Sequence, residues 1–266
     1  MRRGLARLDF NEPFEIMKDH DSANEVLGFY DDDYLFFSAE TLGPERTQNE
    51  LTFIWEALGL QSDQLVLDLG CGHGRISKGM AQRGVKVTGI EVMPRFLDQA
   101  RRDAAKAGLH IDYRKADIRQ PIDGGPFDAA LLWFFSFGYH SDEDNCGILN
   151  NVARSLKPGG RLLFDQYNTS ALARAADHYS VLDFGTSLLL QKPVWDLEAG
   201  RWGAERIVVR DGQIRRSRFT CRSYSPAEIR QMLIQAGFHE LKMFGDGFQP
   251  LELDSTRLIV KASKRP

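Results

Sequence analysis

The sequence predicts an α/β protein: a doubly wound, mostly parallel sheet carrying an antiparallel β insertion. Three observations carry this. Strand-like and helix-like stretches alternate from Leu65 to about residue 167. The strand-like stretches are near-continuously apolar, as strands covered on both faces are. A glycine-rich turn, GCGHG at 70–74, directly follows the first of them, where open parallel sheets place their ligands. A chain of 266 residues, 42% hydrophobic and 27% charged, can bury one large core with an elaboration.

After an irregular aromatic and acidic opening, ERTQNELTFIWEALGL (45–60) sets Leu51, Ile54, Trp55 and Leu58 at helical spacing and stops at Gly59. A strand at 65–69, a helix over about 74–83 and the strand VKVTGIE (85–91) follow. The helix PRFLDQARRDAAKAG then opens with Pro94 in its first turn and ends at Gly108. Next come a short strand HIDYR, a loop ADIRQPIDGG, a buried strand FDAALLWF and a helix at about 143–156. The strand GGRLLFDQY begins after the turn KPGG. Residues 170–224 break the rhythm: SVLDFGTSLLLQKPVWDL (180–197) and RWGAERIVVRDGQIRRSRFTCRSYS (201–225) read as successive strands, with Asp211-Gly212 as a hairpin turn. SPAEIRQMLIQAGF (225–238) has Ser225 as cap, Pro226 first and Glu228 three residues on, a capping box. Strands near 239–245 and 256–263 finish the chain. The expected organisation is 1–60 as an opening segment with its helix, 61–169 as the ligand-binding core, 170–224 as the insertion and 225–266 as the end of the core.

The 34 basic and 37 acidic side chains, with a formal charge of −3, advertise neither a nucleic-acid nor a membrane partner. Three cysteines, Cys71, Cys146 and Cys221, have no metal-like spacing and an odd count, which argues against a disulfide framework and for a reducing cytoplasm. No metal is expected. Asp9, Glu12 and Glu15 stand where a signal peptide needs an unbroken apolar run. The cytoplasm is the expected compartment, with the chain a monomer or homodimer.

Glycine costs backbone entropy and returns no burial, so Gly70, Gly72 and Gly74 imply that a ligand passes close to the main chain, next to the N–H groups of a helix start. A dinucleotide fingerprint, GxGxxG, does not fit: the third glycine falls one position early, and Arg75 occupies the place of close helix packing. This disfavours a pyrophosphate and a nicotinamide-dependent dehydrogenase. Glu91 ends the second strand, placed to accept from two ribose hydroxyls. Asp68 adds a negative side chain to the same crevice, which suits a cationic ligand.

VLDLGCGHGR, the acid of GIE, ADI at 116–118, FDAALLW at 127–133 and LKPGGRLLF at 156–164 resemble, in order, the motifs of class I S-adenosylmethionine-dependent methyltransferases. The resemblance implies a seven-stranded Rossmann-like methyltransferase fold with its last strand antiparallel in a terminal hairpin. It implies S-adenosylmethionine as cofactor, S-adenosylhomocysteine as product, Gly70, Gly72 and Gly74 around the methionine part, Glu91 on the ribose, and Asp117 with Ile118 flanking adenine. Cys71, Val92 and Trp133 fall beside these and join the expected cofactor site, Cys71 as a small loop residue and not a nucleophile. YDDDYLFF, GPERT, WFFSFGYHSDED and SYSPAEIRQMLIQAGF resemble bacterial small-molecule methyltransferases whose substrate cover combines an N-terminal helical part with the insertion. Trp133-Phe134-Phe135 is bulkier than that pattern.

A sulfonium is attracted to aromatic faces in a dry pocket. Tyr30, Tyr34, Phe137, Tyr139 and Tyr167 are therefore the expected acceptor-pocket residues. Arg46, unusual at the positive end of a helix dipole, is expected to fork onto a carboxylate of cofactor or substrate. His140, with Tyr139 beside it, is the candidate catalytic base at the end of the fourth strand. The expected reaction is in-line methyl transfer to N or O of a small molecule. The alternatives are an S-adenosylmethionine-using enzyme of non-methyl chemistry, cyclisation or elimination, and a non-catalytic cofactor-binding module.

Overall fold

A computed structural model of the chain describes residues 28–175 and 178–265. The opening stretch 1–27, including the acidic positions that argue against a leader, lies outside the described residues.

The core is a seven-stranded sheet in the order β10-β11-β5-β4-β1-β2-β3. Its strands are β1 (Leu65–Leu69), β2 (Lys86–Glu91), β3 (Asp112–Lys115), β4 (Phe127–Leu132), β5 (Leu156–Tyr167), β10 (Phe238–Phe244) and β11 (Arg257–Lys264). β11 runs antiparallel to both β5 and β10, and the pairs among β1 to β5 are parallel. This is the strand count and direction the motif string implies.

The apolar strands are explained by burial on two sides. Val66, Ala129, Leu131, Leu163 and Ile259 pack with Leu51, Ile54 and Leu58 of helix α2 (Pro44–Leu58) and Ile76 and Met80 of α3 (Arg75–Gln82). Their strand neighbours Leu67, Leu69, Ala130, Leu132, Phe164 and Val260 point the other way. They meet Ile148 and Val152 of α5 (Asp142–Ser155) and Ile229 and Leu233 of α7 (Pro226–Gln235). The alternation follows the two-residue period of a strand. Helix α4 (Pro94–Lys106) lays Leu97, Ala100 and Ala104 against Tyr113 of β3.

The insertion forms its own four-stranded antiparallel sheet, β6 (Ser180–Asp183), β7 (Leu188–Asp196), β8 (Arg201–Arg210) and β9 (Gln213–Arg222), paired in chain order. The expected hairpin at Asp211-Gly212 joins β8 to β9, with both residues at positive φ. A short helix α6 (Thr169–Arg174), capped by Asn168, precedes this sheet. The sheet is tied to the core through Arg222 N, which donates to Gly138 O at 2.7 Å.

In the opening segment, whose composition reads as irregular and whose family resemblance implies a helical cover, Asp32–Thr41 is a helix, α1. The run of aspartates makes this helix: Asp31 caps it by accepting from Tyr34 N at 2.9 Å, and Asp32 and Asp33 sit in the first turn beside the positive end of the dipole. Strand β5 spans Leu156–Tyr167: Leu156 pairs with Phe127, and after the KPGG turn, across a register shift, continuous pairing with β4 begins at Arg161. Among the described residues no helix is long and apolar enough to cross a membrane, and no three His, Cys, Asp or Glu are grouped as metal ligands.

Candidate functional site

A cavity of about 340 Å³ opens at the carboxyl ends of β1, β2, β3 and β4. Each wall comes from the segment after one strand: Gly70 to His73 with Arg75 and Ile76, then Glu91 to Met93 with Phe96, then Ala116 to Arg119, then Trp133, Phe134, Ser136, Tyr139 and His140. Tyr30, Tyr34 and Leu42 close it from the N-terminal side.

The turn after β1 is held in an open shape by its glycines. Gly70 has φ +67°, and a Cβ there would lie 2.8 Å from Ser136 Oγ. Its N–H and that of Cys71 both reach Ile90 O, at 2.8 and 3.0 Å, so the turn folds over the end of β2. Glu91 completes the hinge: one carboxylate oxygen accepts from Gly72 N at 3.0 Å and the other from Met93 N at 2.9 Å. Burial pushes its carboxyl above the ordinary range, and these amides act the other way. Asp68, buried on β1, accepts from Ser77 Oγ at 2.5 Å, and burial pushes its pKa up to about 6.

Asp117 stands in the lining at the end of β3, but its carboxylate is already engaged by Arg119, Nη2 to Oδ2 at 2.6 Å. Burial alone would raise its pKa; the hydrogen bonds from Arg119 hold it below the usual carboxylate value. His140 is pushed below its ordinary value by burial and then by the Arg119 charge. A neutral imidazole therefore faces the cavity at pH 7. The hydroxyls of Tyr30 and Tyr139 meet at 2.6 Å, and burial raises both far above the phenol value. They sit in an aromatic cluster, Tyr30 edge-on to Tyr34 at 4.7 Å and Tyr34 tilted over Phe96 at 5.7 Å.

The cavity brings together Tyr30, Tyr34, Asp68, Gly70, Cys71, Gly72, Glu91, Val92, Asp117, Ile118, Trp133, Tyr139 and His140. Four expected residues lie outside its lining. Gly74 is a packing glycine: with φ +77°, its Cβ would come within 2.3 Å of Tyr113 Oη. Phe137 is turned into the core against Phe164 and Tyr224. Tyr167 stacks on Phe135 at 3.9 Å and packs against Trp202. Arg46 is half-exposed and pairs with Glu50 in its own helix at 3.2 Å, with its guanidinium 5.2 Å from the Phe134 ring.

Arg75 and Arg119 are the arginines in the cavity lining, and reasoning from spacing missed both, treating Arg75 only as a misfit to a dinucleotide turn. Glu50, 3% exposed and the partner of Arg75, accepts from Arg75 Nη2 at 2.6 Å, Trp133 Nε1 at 3.1 Å and Arg257 Nη1 at 3.2 Å. Burial opposes the charge of Glu50, yet Arg75 and Arg257 hold its carboxyl below the usual range. A glutamate on the buried face of a helix was the available signal. His73, Phe96 and Ser136 were also missed, because nothing in their spacing marks them.

The cover is bound to the insertion by charge. Asp31 takes Arg206 Nη2 at 2.7 Å, and Asp33, 4% exposed, takes Arg210 at 2.7 Å and Arg215 at 2.5 Å. Arg215, in the basic run RRSR of β9, holds the helix that carries Tyr34 over the cavity.

Residues 66–160 match the family model described as a methyltransferase domain. The ubiquinone biosynthesis O-methyltransferase of Idiomarina loihiensis is 35% identical over 103 residues, 39% of this chain and 42% of that protein. The demethylmenaquinone methyltransferase of Tropheryma whipplei is 33% identical over 133 residues, 47% of this chain and 54% of that protein. The chain thus spans about half the length of the curated relatives it matches. Among solved structures, the CcbJ methyltransferase of Streptomyces caelestis superposes with a TM-score of 0.77 at 20% identity, over 92% of this chain and 98% of that one. That likeness fixes the fold.

Proposed function

We propose that the protein is a class I S-adenosylmethionine-dependent methyltransferase, transferring a methyl group from S-adenosylmethionine to N or O of a small molecule; the match of residues 66–160 to a methyltransferase domain and the shared fold support this reading. One observation carries this reading: the turn at Gly70–Gly72 is fastened through Glu91 to the end of β2, beside a cavity whose volume suits a nucleoside-sized ligand. The residues fit the cofactor. Asp68 and Glu91 supply negative charge toward a cation, Tyr30, Tyr34 and Phe96 supply aromatic faces, and Asp117 with Ile118 and Arg119 form the wall for a base. The bound cofactor contributes a methyl group on a positively charged sulfur.

The protein's share of the chemistry is placement. Bringing acceptor and methyl carbon to about 3 Å in line accounts for most of the acceleration. The cover, with Tyr34 over Phe96 and the Tyr30–Tyr139 hydroxyl pair, excludes water from that line. His140, held neutral by burial, takes the proton of a hydroxyl or amine acceptor. Tyr30 and Tyr139 stay protonated and act as hydrogen-bonding groups. We extend the same reading to a cytoplasmic enzyme whose cover comes from 1–60 and 170–224 and whose donor-binding core is 61–169; its three free cysteines agree with a reducing compartment.

Titration calorimetry with S-adenosylmethionine and S-adenosylhomocysteine tests the donor. Incubation of methyl-labelled donor with pools of phenols, amines and carboxylic acids then tests the transfer. Labelled acceptor plus S-adenosylhomocysteine supports the proposal. Methylthioadenosine without S-adenosylhomocysteine would replace methyl transfer by non-methyl chemistry, and no donor binding would end both readings.

A further inference from the structure

Beneath the wall of the cavity runs a buried row of four charges of alternating sign, Arg75, Glu50, Arg257 and Asp165. Their side chains are between 0% and 11% exposed. One end of the row is Arg75, the first residue of α3, which lines the cavity. The other end is Asp165 on β5, whose Oδ1 accepts the main-chain N–H of Phe134 at 2.6 Å and of Phe135 at 3.3 Å. Phe134 and Phe135 have φ of +65° and +62°. Two consecutive bulky residues in the left-handed region persist only where their surroundings enforce it.

The middle of the row fixes both ends at once. Arg257 gives Nε and Nη2 to Asp165 Oδ2, at 3.0 and 2.8 Å, and Nη1 to Glu50 Oε1 at 3.2 Å. Its guanidinium lies 4.7 Å from the Trp133 ring centre and 5.6 Å from that of Phe135. Glu50 binds Arg75 and the indole N–H of Trp133 through one oxygen. So the turn that aims Trp133, Phe134, Ser136 and Tyr139 at the cavity, and the helix start that presents Arg75, share one rigid brace. Buried ion networks return little net stability compared with apolar packing, because desolvation offsets the attraction; what they supply is a single geometry.

We infer that Asp165 and Arg257 are positioning residues: they touch neither end of the cavity, and they hold its Trp133–Tyr139 wall and Arg75 in the arrangement that binds the donor. This rests on the proposed methyltransferase reading. Asp165→Asn is nearly isosteric but has one acceptor oxygen where two are in use. Arg257→Lys keeps the charge and loses the fork that spans two carboxylates. Asp128→Asn is the control, removing an ion pair to Lys157 and an acceptor for Leu65 N at the far end of β1.

The measurement is calorimetric titration of S-adenosylhomocysteine into each purified protein, with circular dichroism to check folding and hydrogen exchange over 133–140. We expect the first two variants to lose affinity about tenfold or more and to exchange faster over that stretch, with the control within about twofold of wild type. Arg257→Lys decides the matter by itself where Asp165→Asn does not fold. Wild-type affinity in folded Asp165→Asn or Arg257→Lys overturns the inference and leaves the donor site standing, and so does an equal loss in the control. A wild-type protein that binds no S-adenosylhomocysteine overturns the donor reading and the inference with it.

Discussion

Glu91 and Gly72 are joined by a hydrogen bond of 3.0 Å from the glycine N–H to the carboxylate, so the acid proposed to hold the ribose also sets the shape of the turn beside it. The two roles separate by substitution. Glu91→Gln keeps one acceptor, and Glu91→Ala leaves the N–H groups of Gly72 and Met93 without a partner. We expect both to weaken donor binding by about tenfold or more, and Glu91→Ala, which unpairs two N–H groups against one in Glu91→Gln, to lose the more stability, about 1–3 kcal/mol. Calorimetry and thermal melting, read side by side, check the split; unchanged donor affinity in Glu91→Ala would remove the ribose assignment.

Asp68 predicts a pH dependence of unusual sign. Its folded pKa of about 6 stands above the unfolded value of 3.8, so the native state holds the proton more tightly. The associated stability is present at low pH and is lost as pH rises from about 4 to about 6, roughly 3 kcal/mol in full. Asp68→Asn should therefore melt above wild type at pH 7.5, with a gap that narrows toward pH 4. A gap independent of pH across that range would contradict the buried-acid account.

The Tyr30–Tyr139 pair predicts coupling. Removing either hydroxyl leaves the other buried without its partner at 2.6 Å. Tyr30→Phe and Tyr139→Phe should each cost about 1 kcal/mol, a melting shift of about 2–4 °C. The double variant should cost less than the sum of the two. Strict additivity in the cycle would mean the hydroxyls act independently.

His140 predicts where activity falls on the acid side. Burial and Arg119 depress its pKa below 6.5, so the neutral base survives to lower pH than a free imidazole, and the acid limb of kcat/KM should lie below pH 6.5. The same depression means the native state takes up fewer protons, so this group's contribution to stability is complete above 6.5 and declines as pH falls through it. His140→Gln should lower kcat by about 10²-fold or more for a hydroxyl acceptor. A kcat/KM profile whose acid limb is unchanged in His140→Gln would show that another group, or none, takes the proton.

Much of the fold was legible because the two faces of the sheet leave their mark on single strands: Val66 and Leu67 are both apolar since they serve opposite cores. The glycine turn and Glu91 were legible for a related reason, since their residue types answer to backbone geometry. Helix α1 carried local signals, the Asp31 cap and the acidic first turn, but where it docks did not show, because Asp31 and Asp33 meet arginines about 180 positions away and no local pattern encodes such partners. Phe137 and Tyr139 show the same limit. Two residues apart in one loop, one faces the core and the other the cavity, and only the path of the turn that Asp165 holds decides which.

Arg206, Arg210 and Arg215 of the second sheet close on Asp31 and Asp33 of the opening segment, so two stretches that lie outside the matched domain in sequence are locked as one roof. On the proposed reading, a descendant of this chain changes the molecule it modifies by remodelling that roof while the floor keeps its donor. The remodelling has to be done in pairs: replacing residues 29–42 without matching changes in 201–222 takes the Asp31 and Asp33 carboxylates away from Arg206, Arg210 and Arg215.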